Sequence, residues 1–502
     1  MALAFMTWSA SAARAQTGAL LHANTASNNP KSNQNKSWFH DGKWWTIAPD
    51  VTKNADYIWR YDGGGVWTRT SAKLEKGSFN RYDVFMDSDL GEMAIVRSHS
   101  TYTKFYRYAY SAGAWSRVLA TVLFNFGNFD NNNPCALTKA KNGVFWVFRI
   151  DTTLQARYSS DGGATWEPKF TIKSGLNTVK GATDAITFTK GNNLIGVAYG
   201  ELGASGVNTK YGFLFHRDTD SPTTWVDETS FITYAGSEKG NNQLSLAADK
   251  SGNVYMFTRN FGGGSSNPRN TLYKRTAKNT WQRHPVNLVS DPHFWFSPAV
   301  AIDSSNNALI VGGVRADSGF AEYKCVDLGS EATLQAATRG VLLRNGNEQF
   351  EDLNFPRHMA DNLNGLMVTA GNTTANKTWF NVFLKNPVVP ILVDSVTVVL
   401  NEVNAQGRYT IPITLTSISS GALDAGLGAI TVRFSATTIM PASISPTLVT
   451  LNGVNAFAVT TTPATKEMMI TTANTIAGNA AVSVVIDSLA GVINKHQIGP
   501  DS

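Results

Sequence analysis

The sequence predicts an all-β protein: a β-propeller of seven blades, or six if one repeat is not a blade, followed by a small β-sandwich. Three observations predict it. Seven times a short apolar strand runs into a tight polar turn and an apolar strand leaves it, at Asp41-Gly42, Leu90-Gly91, Asn142-Gly143, Gly191-Asn192-Asn193, Ser251-Gly252-Asn253, Ser305-Asn306-Asn307 and Asn364-Gly365. The turns recur at roughly 50 to 60 residues, a period of stacked or radial repeats, and a repeat holding about four short strands is the propeller signature. Behind the turns runs a series of tryptophans, Trp67, Trp115, Trp166, Trp225 and Trp281, each closing a repeat. No stretch shows a sustained helical period.

The turns bracket the blades. They cover residues 34–70, 77–118, 129–172, 179–229, 238–288, 289–343 and 345–386. Within the third, Cys135-Ala136-Leu137-Thr138, Val144-Phe145-Trp146-Val147-Phe148 and Leu154-Gln155-Ala156-Arg157-Tyr158 are short, β-branched or aromatic, and bounded by Gly, Asn and Asp, as strands are. Near Asn386-Pro387 the composition changes. Every Trp lies before it, and beyond it only Tyr409, Phe434 and Phe457 are aromatic. From Ile391 the text is Val/Ile/Thr/Ala alternation with a turn every 8 to 12 residues or so, the pattern of a small sandwich. The expected domains are therefore 1–15 as a signal peptide, 16–386 as the propeller and 387–502 as the sandwich.

Composition sets further bounds. At 502 residues with 42 % hydrophobic and 16 % charged side chains, the chain has ample core and few charges. Cys135 and Cys325 are too far apart in sequence for a metal motif and too few for a disulfide framework, so they read as buried free thiols. Met1–Trp8 is apolar, and Ser11-Ala12-Ala13-Arg14-Ala15 before Gln16 has the small-x-small pattern of a signal-peptidase site. Export from a bacterial cell, to the medium or the cell surface, is the expectation, with no membrane span. Residues 387–502 carry four Lys/Arg and six Asp/Glu, so the net charge of +6 comes from the propeller. A positive excess there suits an anionic partner.

Ser159-Ser160-Asp161-Gly162-Gly163-Ala164-Thr165-Trp166 is a complete Asp-box, S-x-D-x-G-x-T-W. The Asp accepts backbone N–H bonds inside the hairpin, Gly163 takes the unusual backbone angle and the Trp packs between sheets. Degenerate copies stand at Tyr61-Asp62-Gly63-Gly64-Gly65-Val66-Trp67, Tyr110-Ser111-Ala112-Gly113-Ala114-Trp115, Arg217-Asp218-Thr219-Asp220 before Trp225, and Ala277-Lys278-Asn279-Thr280-Trp281. The motif resembles those of sialidases and related Asp-box (BNR repeat) propellers. That resemblance implies a turn between third and fourth strands, on the face away from the active site. Residues 428–434, 450–454 and 480–486 loosely resemble bacterial surface-protein immunoglobulin-like modules. Such modules continue for another strand, so the chain reads as cut short.

If the Asp-boxes mark one face, the opposite face is built where innermost strands begin and second strands end. Strand starts supply Lys36, Asn80-Arg81-Tyr82, Asn131-Asn132-Asn133, Asp184, Asn241-Asn242, His293-Phe294-Trp295 and Arg357-His358. Second-strand ends supply Asp50, Arg97-Ser98-His99, Arg149-Ile150-Asp151, Tyr199-Gly200-Glu201, Arg259-Asn260, Arg315-Ala316-Asp317 and Asn372. Arginine forks hold carboxylates and sulfates in a bidentate way, so Arg81, Arg97, Arg149, Arg259, Arg315 and Arg357 converging on one axis suit an acidic sugar. Tyr82, Phe294 and Trp295 offer flat faces for sugar rings. Glu201, Asp184 and His293 complete the expected binding ring. The structural alternative is that the arginines merely pair with Asp151, Asp184 or Asp317.

Sialidases resemble one another in a Phe/Tyr-Arg-Ile-Pro motif opening the first blade, but here that place reads Asn35-Lys36-Ser37-Trp38-Phe39. Phe148-Arg149-Ile150-Asp151 looks like the motif yet closes a second strand, and Tyr199 with Glu201 is a displaced version of the nucleophile pair. Some Asp-box propellers are polysaccharide lyases, such as ulvan lyases, and Arg97-Ser98-His99 with Tyr102 and Arg81-Tyr82 resembles what they need: Arg97 or Arg81 to neutralise a uronate, His99 as base, Tyr82 or Tyr102 as acid. No metal or cofactor is expected; Asp87-Ser88-Asp89 and Asp130-Asn131-Asn132-Asn133 read as polar turns rather than calcium loops. The expected partner is an acidic polysaccharide or glycan, not nucleic acid. The chain is then a lyase, or a non-catalytic surface lectin or adhesin, ahead of a glycoside hydrolase using Glu201 and Asp184.

Overall fold

The computed structural model divides the chain into two compact units, Ala15–Pro387 and Val388–Ser502. In the first it describes residues 18–26, 34–76, 81–87, 90–99, 102–125, 134–176, 181–201, 210–234, 239–261, 264–304, 307–344, 349–357, 365–372 and 375–383. In the second it describes 392–393, 397–399, 408–414, 429–434, 438–464, 466–474, 476 and 481–493. The expected signal peptide, His358, Asn80, Ser88-Asp89 and Asp130–Asn133 lie outside the described residues.

Among the described residues the first unit folds into seven four-stranded antiparallel sheets. In chain order, their innermost strands are Ser37–His40, Arg81–Asp87, Ala136–Lys139, Ala182–Lys190, Leu244–Ala248, Trp295–Asp303 and Phe350–Asn354. Each pairs with the strand that follows it, then the next, as a meander. The hairpins turn where the sequence supplies residues tolerant of positive φ. At the first, Asp41 and Gly42 sit at φ 51° and 68°, the twist a two-residue hairpin requires.

The sheets form a closed ring. The first and second share a core around Trp38, Trp45, Ile58, Tyr82, Ile95 and Tyr106. Further cores join the second to the third, third to fourth, fourth to fifth, fifth to sixth and sixth to seventh. The last joins the seventh back to the first, through Met367 and Phe380 against Trp44, Ala48, Trp59 and Trp67. This is the arrangement of a β-propeller. The repeat pattern closes the seventh blade from residues 345–386 alone. The structure corrects that: its outermost strand is Ala19–Leu20, paired with Lys377–Phe383, and Leu21 is buried in the closing core.

The inner strands are latched around the axis by short polar side chains that take a backbone N–H from a neighbour. Leu137 N donates to Asp83 Oδ2 at 2.7 Å, Leu246 N to Asp184 Oδ2 at 2.8 Å, Asp352 N to Ser297 Oγ at 3.2 Å and Lys36 N to Asn354 Oδ1 at 3.2 Å. These bonds satisfy inward-pointing backbone groups that a strand ladder leaves open.

The Ser159–Trp166 turn joins the third and fourth strands of the third sheet. Asp161 takes the Thr165 N–H at 2.9 Å and its hydroxyl at 2.6 Å, and Gly163 N donates to Ser159 Oγ at 2.8 Å. Trp166 lies edge-on to Phe105 of the second sheet at 5.1 Å, so the turn fastens two neighbouring sheets.

In the second unit the strands Leu392–Val393, Arg408–Thr414, Ala481–Ile486, Val449–Leu451 and Val454–Asn455 form one sheet, with Thr397–Val399 beside Arg408–Thr414. Ala429–Arg433, Glu467–Thr471 and Ala458–Thr462 form a second. Ile430, Met468 and Ile470 of one share a core with Tyr409, Val449, Val484 and Ile486 of the other, the packing of a sandwich.

Candidate functional site

The ladder registers put the starts of the inner strands, the ends of the second and the starts of the third at one end of each sheet. Arg81 opposes Ser98, which opposes Thr103; Arg259 opposes Asn270; Trp295 opposes Arg315. Arg81, Arg97, Arg259, Trp295 and Arg315 are therefore at corresponding strand ends, and the side chains of the expected site residues divide into three groups.

The first group lies on the second sheet. His99 stacks on Tyr102, with ring centroids 4.6 Å apart and planes inclined by 21°. Arg97 Nη1 donates to the Tyr102 hydroxyl at 2.5 Å, and Lys104 Nζ stands 5.0 Å from the same ring while bonding Glu75 at 3.0 Å. Burial lowers the pKa of His99 below its ordinary value, and the Arg97 charge acts in the same direction. Three of the four expected catalytic residues, His99, Tyr102 and Arg97, thus meet, and of these Arg97 is placed differently from its expected role. Arg97 is only 1 % exposed and lies among Tyr82, Tyr102 and Tyr106, so it holds Tyr102 rather than meeting a uronate itself. Tyr82, also 1 % exposed, donates to Asp56 Oδ2 at 2.7 Å, which removes it as the acid. Beside it, burial draws buried Lys36 down to about 7, against the pull of Asp56 and Asp352.

The second group is axial. Arg357 Nη2 bonds Asp83 Oδ2 at 2.8 Å and Asp184 Oδ1 at 2.7 Å, and Nη1 bonds the Leu137 carbonyl at 2.7 Å. An arginine of the seventh sheet can reach the second, third and fourth only across the ring's centre. The repeat pattern puts Arg357 at a strand start; it follows the end of Phe350–Asn354 instead. Arg357 and Asp184 are therefore engaged with each other inside the ring, and a hydrolase pairing of Glu201 with Asp184 loses its second carboxylate. Glu201 itself is buried.

The third group lies between the fifth and sixth sheets. Arg259 Cζ stands 3.8 Å from the Phe296 ring centroid and 5.1 Å from that of Phe261, and Arg269 Cζ stands 5.3 Å from that of Phe294. Nearby Arg315 is taken by carboxylates, at 2.5 Å to Asp317 and 3.3 Å to Glu322, and His293 Nδ1 is 3.5 Å from Asp317. Trp295 is wholly buried with its Nε1 on Glu322 at 3.1 Å, so the expected stacking face is not there; Phe294 and Phe296, on either side of it, are partly exposed. Arg149 lies 3.6 Å from Asp151, and burial lowers it to about 10. Arg81, partly exposed, stays on the rim.

The sequence reading missed Lys104, Glu75, Arg269, Phe261 and Phe296. Third-strand starts, which carry Lys104 and Arg269, share the rim by simple meander geometry. Among the described residues no group of His, Cys, Asp and Glu is placed to hold a metal ion, and no helix is long and apolar enough to cross a membrane.

No family model and no curated protein matches the chain. Among solved structures it is similar to a Dyadobacter fermentans protein of unknown function, at 11 % identity and a TM-score of 0.41 over 60 % of this chain and 94 % of that one. The six-bladed fucose-recognising lectin of Aleuria aurantia aligns at 12 % identity and 0.35 over 54 % and 81 %. AofleA from Arthrobotrys oligospora aligns at 8 % identity and 0.40 over 62 % and 90 %. These likenesses are distant.

Proposed function

We propose that the protein is an exported, seven-bladed propeller of the Asp-box type that binds an acidic glycan on the face where its inner strands begin, with an immunoglobulin-like C-terminal module as spacer or surface anchor. The supporting observation is the stacked His99–Tyr102 pair with Lys104 against it. A sugar ring presents axial C–H groups that pack on an aromatic face, and Arg97 and Lys104 against the single carboxylate of Glu75 leave a net positive charge beside that face, which favours an acidic sugar over a neutral one. Retention on immobilised uronate polysaccharide, lost in Tyr102→Ala and weakened by salt, is the expected result. Equal retention of the variant removes Tyr102 from binding.

A specific observation favours lyase chemistry as the second reading: the Arg97 guanidinium on the Tyr102 hydroxyl. In β-elimination a base takes the proton alpha to the uronate carboxylate, the electron pair forms the C4–C5 double bond, and the C4–O bond breaks as the leaving oxygen gains a proton. His99, held neutral by its surroundings, can take the proton and Tyr102 can give one, with Arg81 on the same rim to face the carboxylate. No co-reactant is needed. Absorbance of the unsaturated product in the far ultraviolet, followed across a panel of uronate polysaccharides, tests it. Retention without absorbance gain leaves a lectin.

A further inference from the structure

Most of the buried or half-buried arginines have an acid. Arg315 has Asp317 and Glu322, Arg149 has Asp151, Arg275 has Glu228, Arg339 has Asp291 and Arg357 has Asp83 and Asp184. Arg259 and Arg269, neighbours on one hairpin, make no ion pair with a carboxylate among the described residues. The ionisable groups acting on Arg259 among the described residues are the Tyr211 hydroxyl and the like charge of Arg269. Its polar side-chain contact among those residues is a long one, Nη1 to Gln243 Oε1 at 3.3 Å, and that oxygen also accepts from Ser297 N at 3.2 Å. The Nε atoms of both arginines are buried without a hydrogen-bond partner among the described residues.

Two neighbouring cations, partly desolvated, with unused N–H donors and no counter-charge among the described residues, are costly to hold. The surrounding phenylalanines explain their posture. A guanidinium packed over a ring keeps its in-plane donors pointing away from that ring, and its rotamer is fixed before any ligand arrives. Phe294 and Phe296 meet edge to face at 5.7 Å, so the two platforms brace each other. Arg259 ends the second strand of the fifth sheet and Arg269 lies in its third strand, joined by the bond from Asn260 N to Arg269 O at 2.7 Å. The donors are thus carried on a rigid ladder rather than on a loop.

We propose that Arg259 and Arg269 form an oxyanion site, on the rim between the fifth and sixth sheets, for the carboxylate of a uronate residue. The choice of a uronate rests on the glycan reading above; the anion site stands on the two guanidiniums alone. It is a subsite separate from the His99–Tyr102 pair, on the second sheet, so a chain of sugars would be gripped at two places.

Titration calorimetry of the full chain with D-glucuronate, D-glucose and glucose 6-sulfate tests it. Glucuronate is expected to bind and glucose not to. Arg259→Gln and Arg269→Gln should each weaken glucuronate by about tenfold or more, the order lost with a charge-assisted bidentate contact. Arg259→Lys, which keeps the charge and loses the fork, should also weaken it, and its unchanged thermal midpoint would show that the fold is intact. Arg60→Gln removes a charge near the Gly63 turn, at the opposite end of the first sheet, and should bind glucuronate as the parent does. Unchanged affinity in both Gln variants at Arg259 and Arg269, absence of glucuronate binding, or equal binding of glucose overturns the site. An equal loss in Arg60→Gln also overturns it, since net charge would then suffice. Tighter binding of glucose 6-sulfate overturns the carboxylate assignment. Retention of the polysaccharide on an affinity gel alongside any of these failures leaves the proposed function standing on Tyr102.

Discussion

Arg357 Nη2 lies 2.7 Å from Asp184 Oδ1, and the same nitrogen lies 2.8 Å from Asp83 Oδ2. One buried guanidinium therefore serves two buried carboxylates that also take backbone N–H groups from neighbouring sheets. Burial raises the pKa of both acids above the ordinary range, Asp184 to about 6, although Arg357 pulls against that rise. A raised native pKa means that these groups favour the fold most below the unfolded value near 4 and lose that contribution as pH climbs through 6. Arg357→Met should cost about 3–5 kcal/mol at neutral pH, the usual penalty for stripping one partner from a buried pair. It should cost less at pH 4.5, where both carboxylates can be neutral. Urea melts at the two pH values check this; an equal cost at both would show that the acids do not depend on Arg357 for their charge.

Gly163 is at φ 90°, and a Cβ built there would run into Phe105 Cε1. Gly64 is at φ 58° with nothing within 4 Å. Both substitutions to Ala place an L side chain in left-handed backbone, but only one meets a neighbouring sheet. Gly64→Ala should cost about 1 kcal/mol and Gly163→Ala clearly more, about 2–4 kcal/mol, because Phe105 and Trp166 must move apart. Thermal denaturation of the pair separates turn strain from packing; equal losses would make the Phe105 contact irrelevant.

If elimination occurs at Tyr102, its rate should show an acid limb lying below 6.5, the ordinary histidine value, because burial and Arg97 both hold His99 neutral. Arg97→Met removes one of those two causes and should shift the limb upward while slowing turnover by about a hundredfold, the scale of a misplaced acid or base. Tyr102→Phe should abolish product absorbance yet keep part of the binding, since the ring remains. A limb that stays in place in Arg97→Met assigns the titrating group to another residue.

How far the sequence carries depends on local signals. Asp41-Gly42 and the glycine turns announce themselves because positive φ selects Asn, Asp and Gly, and Ser159–Trp166 is a self-contained hydrogen-bonded unit. Arg357 escapes correct placement because Phe350-Glu351-Asp352-Leu353-Asn354, the seventh inner strand, has too few apolar residues to read as one. Trp295 and Tyr82 share the rim positions of their neighbours, but strand side chains alternate, so Phe294, Phe296 and Arg81 face outward where Trp295 and Tyr82 face in. Arg315 and Arg259 sit at like positions in their blades, and the difference between them is largely local: Arg315 has Asp317 two residues on and Glu322 on the adjoining strand, whereas Arg259 has neither kind of neighbour among the described residues.

Ring closure rests on a segment that no periodicity could reveal. Ala19–Leu20 contributes two residues to the seventh sheet, Leu21 N donates to Thr378 O at 2.9 Å, and the Thr378 hydroxyl donates to Ala26 O at 2.7 Å. Leu21, 2 % exposed, then fills the space among Trp44, Trp59, Trp67 and Phe380, where the last sheet meets the first. A propeller is held by the weakest of its interfaces, because opening one frees the sheets on both sides. Leu21→Ala should cost about 2–4 kcal/mol, as buried leucine truncations do, and hydrogen exchange should rise in Lys377–Phe383 and Lys43–Asp50 before it rises in the third and fourth sheets. Uniform acceleration throughout the first unit would show instead that the ring opens as one cooperative body, with no preferred seam at Leu21.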